Sequence, residues 1–160
     1  MKYFNKFMYL FLTLMLFLVS ASGCGLNEKE VKNPNLDDIV KNIESEIPLD
    51  FVSKSDNTKS LKRFFSLNSS DYEQVILFSP ASSMNVEEIL IIKLKSPDQV
   101  DLIESAIENR VDKQLQSFSG YAPEQCALLE DYIFKVSGNY IFYSVGEKSE
   151  EINQIFVNSI

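Results

Sequence analysis

The sequence predicts an α+β domain: a mainly antiparallel four-stranded sheet, made of two hairpins, with helices packed on it. Three patterns predict it. Residues 72–78 (YEQVILF) and 88–95 (EILIIKLK) are runs of β-branched and apolar side chains separated by SPASSMN, a stretch of loop composition. Residues 132–136 (YIFKV) and 140–145 (YIFYSV) repeat the arrangement around SGN, where Gly138 supplies the positive φ that a tight hairpin needs. Between the two pairs lies a long run of helical periodicity, and strands grouped apart from helices are the α+β pattern.

The elements follow in order. Asn35 can cap a first helix, Asp37 and Asp38 suit its positive N-terminus, and Leu36, Ile39, Val40, Ile43 and Ile47 recur at helical spacing until Pro48 stops it. Residues 61–65 (LKRFF) suggest a second, short helix that turns Leu61, Phe64 and Phe65 inward. In the second strand Leu90, Ile92 and Leu94 share one face, expected to meet the core, and Lys93 and Lys95 share the other. The long helix has the clearest start, with Ser96 at the N-cap, Pro97 at N1 and Gln99 at N3, a capping box with the favoured proline. Val100, Ile103, Ile107, Val111 and Phe118 form its apolar stripe, and Gly120 is placed to end it. A short helix from Pro123 to about Glu130 precedes the second hairpin, and a last helix from about Ser149 to Val157 turns Ile152, Ile155 and Phe156 inward.

Ahead of this domain, residues 36–160, the chain reads as a targeting segment. Lys2 and Lys6 precede the apolar run FMYLFLTLMLFLV, which has the length of a signal-peptide core and is short for a membrane span. Ala21, Ser22 and Gly23 are small, as a peptidase pocket requires, and Cys24 follows them directly. The arrangement resembles a bacterial lipobox with Ala21 where Leu is usual. Residues 1–23 are therefore expected to be a lipoprotein signal peptide, Cys24 the lipidated residue, and residues 24–35 a flexible polar tether. Two or three acyl chains make a stable anchor where one holds only marginally. Loss of Lys2 and Lys6 would take the formal charge from −8 to −10. A chain this acidic has no footprint for nucleic acid, which is bound through clustered Lys and Arg. With Cys24 lipidated, Cys126 has no intrachain partner, and its apolar neighbours Ala127, Leu128 and Leu129 predict a buried, inert thiol.

The chain contains no histidine, which excludes Ser-His and Cys-His nucleophile pairs and the commonest zinc ligand. It has no Gly-rich phosphate loop, C-x-x-C or calcium loop, so no cofactor, metal site or catalytic residue is expected. The acidic doublets Asp37-Asp38, Glu87-Glu88, Glu130-Asp131 and Glu150-Glu151 point their carboxylates apart on either a helix or a strand. One constellation stands out. On a helical projection Gln114 falls inside the apolar stripe of the long helix and Arg110 at its edge. Buried polar groups demand partners. Glu88 and Tyr121 are the candidates, so Glu88, Arg110, Gln114 and Tyr121 form the expected structural or binding cluster.

EILIIKLK, then IENRVDKQLQSFSGYAPEQCALLEDY, then SGNYIFYSV resemble the bacterial lipoprotein family termed domain of unknown function 4358. The positions carrying the resemblance are Glu88, Arg110, Gln114, Phe118, Tyr121, Pro123, Gly138 and Tyr140. It implies a small exported α+β lipoprotein domain and no particular activity. The expected function is a non-catalytic binding or interaction module, anchored on the extracytoplasmic face of the cell membrane through lipid on Cys24. Its candidate partners are an envelope protein or a small ligand. The competing reading is a cell-envelope hydrolase working through two carboxylates. Mass spectrometry of the membrane fraction is expected to find a chain that starts at Cys24 and carries lipid; an unmodified N-terminus there, or an intact leader, would contradict this.

Overall fold

A computed structural model describes residues 33–160, so the expected signal peptide, the lipidation site at Cys24 and most of the tether lie outside the described residues. Among the described residues five helices and five strands follow one another as α1 (Leu36–Glu46), β1 (Val52–Lys54), α2 (Asn57–Phe65), β2 (Gln74–Pro80), β3 (Glu88–Lys93), α3 (Val100–Phe118), α4 (Pro123–Glu130), β4 (Ile133–Ser137), β5 (Tyr140–Val145) and α5 (Ser149–Ser159). No described helix is long and apolar enough to cross a membrane.

Local chemistry explains most boundaries. Asn35 accepts from the Asp38 N–H at 3.0 Å to cap α1, and Asp56 accepts from Thr58 and Lys59 to cap α2. The Gln99 side chain accepts from the Ser96 N–H at 3.2 Å, and a short 3-10 turn over Pro97–Gln99 leads into α3. Gly120, at φ +87, carries the chain out of α3, and Gly138, at φ +57, makes the β4–β5 turn.

The strands form one antiparallel sheet in the order β1-β2-β3-β5-β4. The two expected hairpins are present, joined through β3 and β5, which pair from Glu88↔Val145 to Lys93↔Tyr140. The sheet has five strands rather than four. The extra strand, β1, is only three residues long, and one of them is buried. It exists because the end of β2 offers an unpaired edge, with Val52 opposite Pro80 and Lys54 opposite Phe78.

Helices cover both faces. Leu90, Ile92, Ile141, Tyr143 and Val145 look towards Leu61 and Phe65 of α2, Ile103, Ile107 and Val111 of α3, and Leu129 of α4. Ile89, Ile91, Tyr140 and Phe142 look the other way, towards Ile39 and Ile43 of α1 and Ile152 and Phe156 of α5. Every residue of β3 and β5 is therefore buried. Lys93, read from its own strand as outward-facing, is instead only 5% exposed, because α1 and the residues leading into it cover that face too. Its Nζ lies 2.8 Å from Glu73 Oε1, and this hydrogen bond holds the lysine pKa above its ordinary value against the opposing effect of burial. Beside it the Tyr140 hydroxyl lies 2.9 Å from Asn33 Oδ1 and 2.7 Å from the Pro34 carbonyl, and the Leu36 N–H donates to Gln74 Oε1 at 2.9 Å. These bonds fasten the start of the domain to one end of the sheet.

Cys126 differs from expectation. It is half-buried, because α4 is short and fully buries only Leu129. On the opposite face Phe156 is fully buried and stacks on Phe142 with ring centroids 5.0 Å apart. Phe156→Ala is expected to cost about 3–5 kcal/mol by leaving a cavity beneath α5, read as a lower urea midpoint at unchanged slope.

Candidate functional site

Glu88 opens β3 and points at the face covered by α3. Its neighbours there, Leu90, Tyr143 and Val145, are buried, and Glu88 itself is 0% exposed. Arg110, about midway along α3, sits at the edge of the buried stripe and donates to Glu88 through both arms, Nε to Oε1 at 3.3 Å and Nη2 to Oε2 at 3.0 Å. Such a two-pronged grip needs the planar guanidinium; a lysine makes only point contacts. The centre of the Phe64 ring, from α2, lies 4.6 Å from Arg110 Cζ and 5.4 Å from Arg63 Cζ, so one aromatic ring serves two guanidiniums. Burial raises the Glu88 pKa, and Arg110 opposes that rise first by its charge and then by its hydrogen bonds.

Tyr143 is the neighbour that sequence reasoning missed. Its hydroxyl is buried and makes no hydrogen bond within normal limits, yet it lies close enough for Glu88 to affect it; burial first and the carboxylate second hold its pKa well above the ordinary tyrosine value. Its signal in the sequence is its register. Tyr143 stands two residues before Val145, which pairs with Glu88, and so shares the face. Gln125 was missed as well. From α4 its Oε1 accepts the Val86 N–H at 3.0 Å, bracing the backbone two residues before Glu88.

Gln114 lies one turn beyond Arg110 and is 6% exposed. Its Oε1 is buried and accepts no hydrogen bond. Tyr121 is not brought to this cluster: it is 59% exposed, and its ring stacks on Phe118 at 5.7 Å. The turn at Gly120 carries it outward.

Arg110, Gln114 and Phe118 form one wall of a groove of about 340 Å³. Arg63 and Phe64 of α2 and Ser82, Ser83 and Asn85 of the β2–β3 connection line the rest of it. No carboxylate lines it. A second groove, between α1 and α5, is lined by Glu46 and Glu151, and there Asn42 Nδ2 already donates to Ser159 Oγ at 3.1 Å. Among the described residues no group of three or more Cys, Asp or Glu side chains is placed to hold a metal ion.

The sequence pattern of the family described as Domain of unknown function (DUF4358) matches residues 45–146, and the chain belongs to that family. The match spans both central strands, α3 and the whole Glu88–Arg110–Gln114 cluster. No curated protein and no solved structure matches the chain.

The buried pair makes a prediction with a sign. Folding raises the Glu88 pKa, so the folded state holds this proton more tightly than the unfolded chain. Its contribution to stability therefore falls as pH rises from the ordinary glutamate value of 4.5 towards the folded value. Removing Arg110 takes away the opposing influence and widens that window. Arg110→Ala is expected to destabilise the domain by about 3 kcal/mol near neutral pH, because it strands a buried carboxylate. The deficit relative to the parent chain should shrink on acidification to about pH 5. Urea titrations across pH check this, and Glu88→Gln combined with Arg110→Ala should cost less than the sum of the two.

Proposed function

We propose that this chain is an exported lipoprotein, anchored through lipid on Cys24, whose domain is a non-catalytic binding module on the extracytoplasmic face of the membrane. The binding site in this reading is the groove over Arg110 and Gln114. One observation carries it: Gln114, a residue only 6% exposed, lines a groove and has a side-chain oxygen that no protein group satisfies. Leaving such an atom unpaired costs about 1–3 kcal/mol, so an unmet acceptor at a groove is a place for a ligand donor.

The chemistry of the groove favours binding over hydrolysis. A glycosidase-type mechanism needs two carboxylates converging from about 5 to 9.5 Å apart. Glu88, the carboxylate beneath the groove, has no exposure and is held through both oxygens by Arg110. The amino-acid signals at residues 1–24 support the anchor, and the acidic charge of −8 argues against nucleic acid as partner.

A photo-crosslinking residue at Ser83, in the groove wall, is expected to capture an adduct of defined mass in intact cells. The same residue at Asn158, on the opposite helical layer, is expected not to capture it. Equal capture at both positions, or none at Ser83, would overturn the assignment of the groove.

A further inference from the structure

The groove over Arg110 is lined by no acid in a chain rich in them. Acidic residues outnumber basic ones 23 to 15, yet the lining contains two arginines and no carboxylate. The two arginines are not equivalent. Arg110 is neutralised from behind by Glu88, so its role is structural and its charge is largely spent. Arg63 makes no ion pair among the described residues and is exposed at the C-terminal end of α2. Its guanidinium is kept near the groove by the Phe64 ring, whose centre is 5.4 Å away. A free, positioned arginine at the mouth of a groove suits a carboxylate, which it can hold in a two-pronged grip.

Gln114 adds the second half of the recognition. Its amide carries both an acceptor and a donor, and the acceptor is unmet. A bare anion would leave that oxygen unsatisfied. A carboxylate with a neighbouring N–H or O–H would satisfy it, the donor meeting Oε1 while the carboxylate takes Arg63. Ser82, Ser83 and Asn85 in the groove lining supply further polar contacts, and about 340 Å³ fits a ligand of small-molecule size.

Resting on the binding reading above, we propose that the groove takes a small ligand through a carboxylate that carries an N–H or O–H donor beside it. An acylated amino acid and a uronic acid both present this chemistry.

The test uses the full-length chain in detergent micelles and saturation-transfer NMR with two matched pairs of probes. N-acetylglycine is compared with N-acetylglycinamide, and glucuronate with glucose. At least one acid is expected to bind saturably, about tenfold more tightly than its neutral partner, the equivalent of one charge-assisted hydrogen bond. Which acid binds separates the amino-acid source from the sugar source. Arg63→Glu should abolish the preference and Arg63→Lys, which keeps the charge but loses the two-pronged grip, should reduce it without abolishing it, with thermal unfolding showing that both variants fold. Acid binding that survives Arg63→Glu, or the failure of both acids to bind, would overturn the inference. Neutral probes binding as well as acids would also overturn it. If Ser83→Trp then blocked those neutral probes, the groove would stand as a binding site and only the ligand class would fall.

Discussion

Strand β3 has no exposed residue, and much of the architecture answers that constraint. A strand without a wet face needs cover on both sides, so the sheet is the middle of three layers, with α2, α3 and α4 over one face and α1 and α5 over the other. The same burial leaves a carboxylate at one end of the strand and an ammonium at the other. Neither can remain there unpartnered. Glu88 takes the guanidinium of Arg110, and Lys93 takes the carboxylate of Glu73. The placement of α3 is thus set twice, by its apolar stripe and by the reach of one arginine. Replacing such a pair by apolar side chains of similar shape is often neutral or stabilising. Its contribution here is positional: the side chain that neutralises Glu88 also forms one wall of the groove, with Gln114 one turn along.

The parts of this fold legible in the sequence are those whose signals are local. Asn35, the Ser96-Pro97-Gln99 start and Gly138 each act within a few residues, and the helices and hairpin they mark are present. Strand β1 is illegible because Val-Ser-Lys carries no pattern of its own and becomes a strand only against the edge of β2. Lys93 misleads for a related reason. Alternation along a strand separates two faces but does not say whether the second is wet. The continuous apolar runs EILIIK and YIFYSV were the available sign that it is dry.

The site divides in the same way. Arg110 and Gln114 stand out because a helical projection puts two polar side chains on an apolar stripe, and Glu88 because it leads an apolar strand. Tyr143 is silent, since a tyrosine in such a run reads as one more hydrophobe, and only the β3–β5 register brings it beside the carboxylate. Tyr121 is near Gln114 along the chain, but Gly120 turns between them, and the ring ends on the surface against Phe118.

The bonds that fasten Asn33, Pro34 and Leu36 to Tyr140 and Gln74 have a mechanical consequence. Tyr140 and Gln74 both pair with Lys93, at the end of β3 far from Glu88. At about 3.3 Å per residue the two ends of that strand are roughly 17 Å apart. A pull applied through the N-terminal side of the domain therefore enters at one pole of the sheet, while the groove opens near the other. Such a load reaches the bonds around Tyr140 first, and the whole length of β3 lies between them and the Glu88–Arg110 pair.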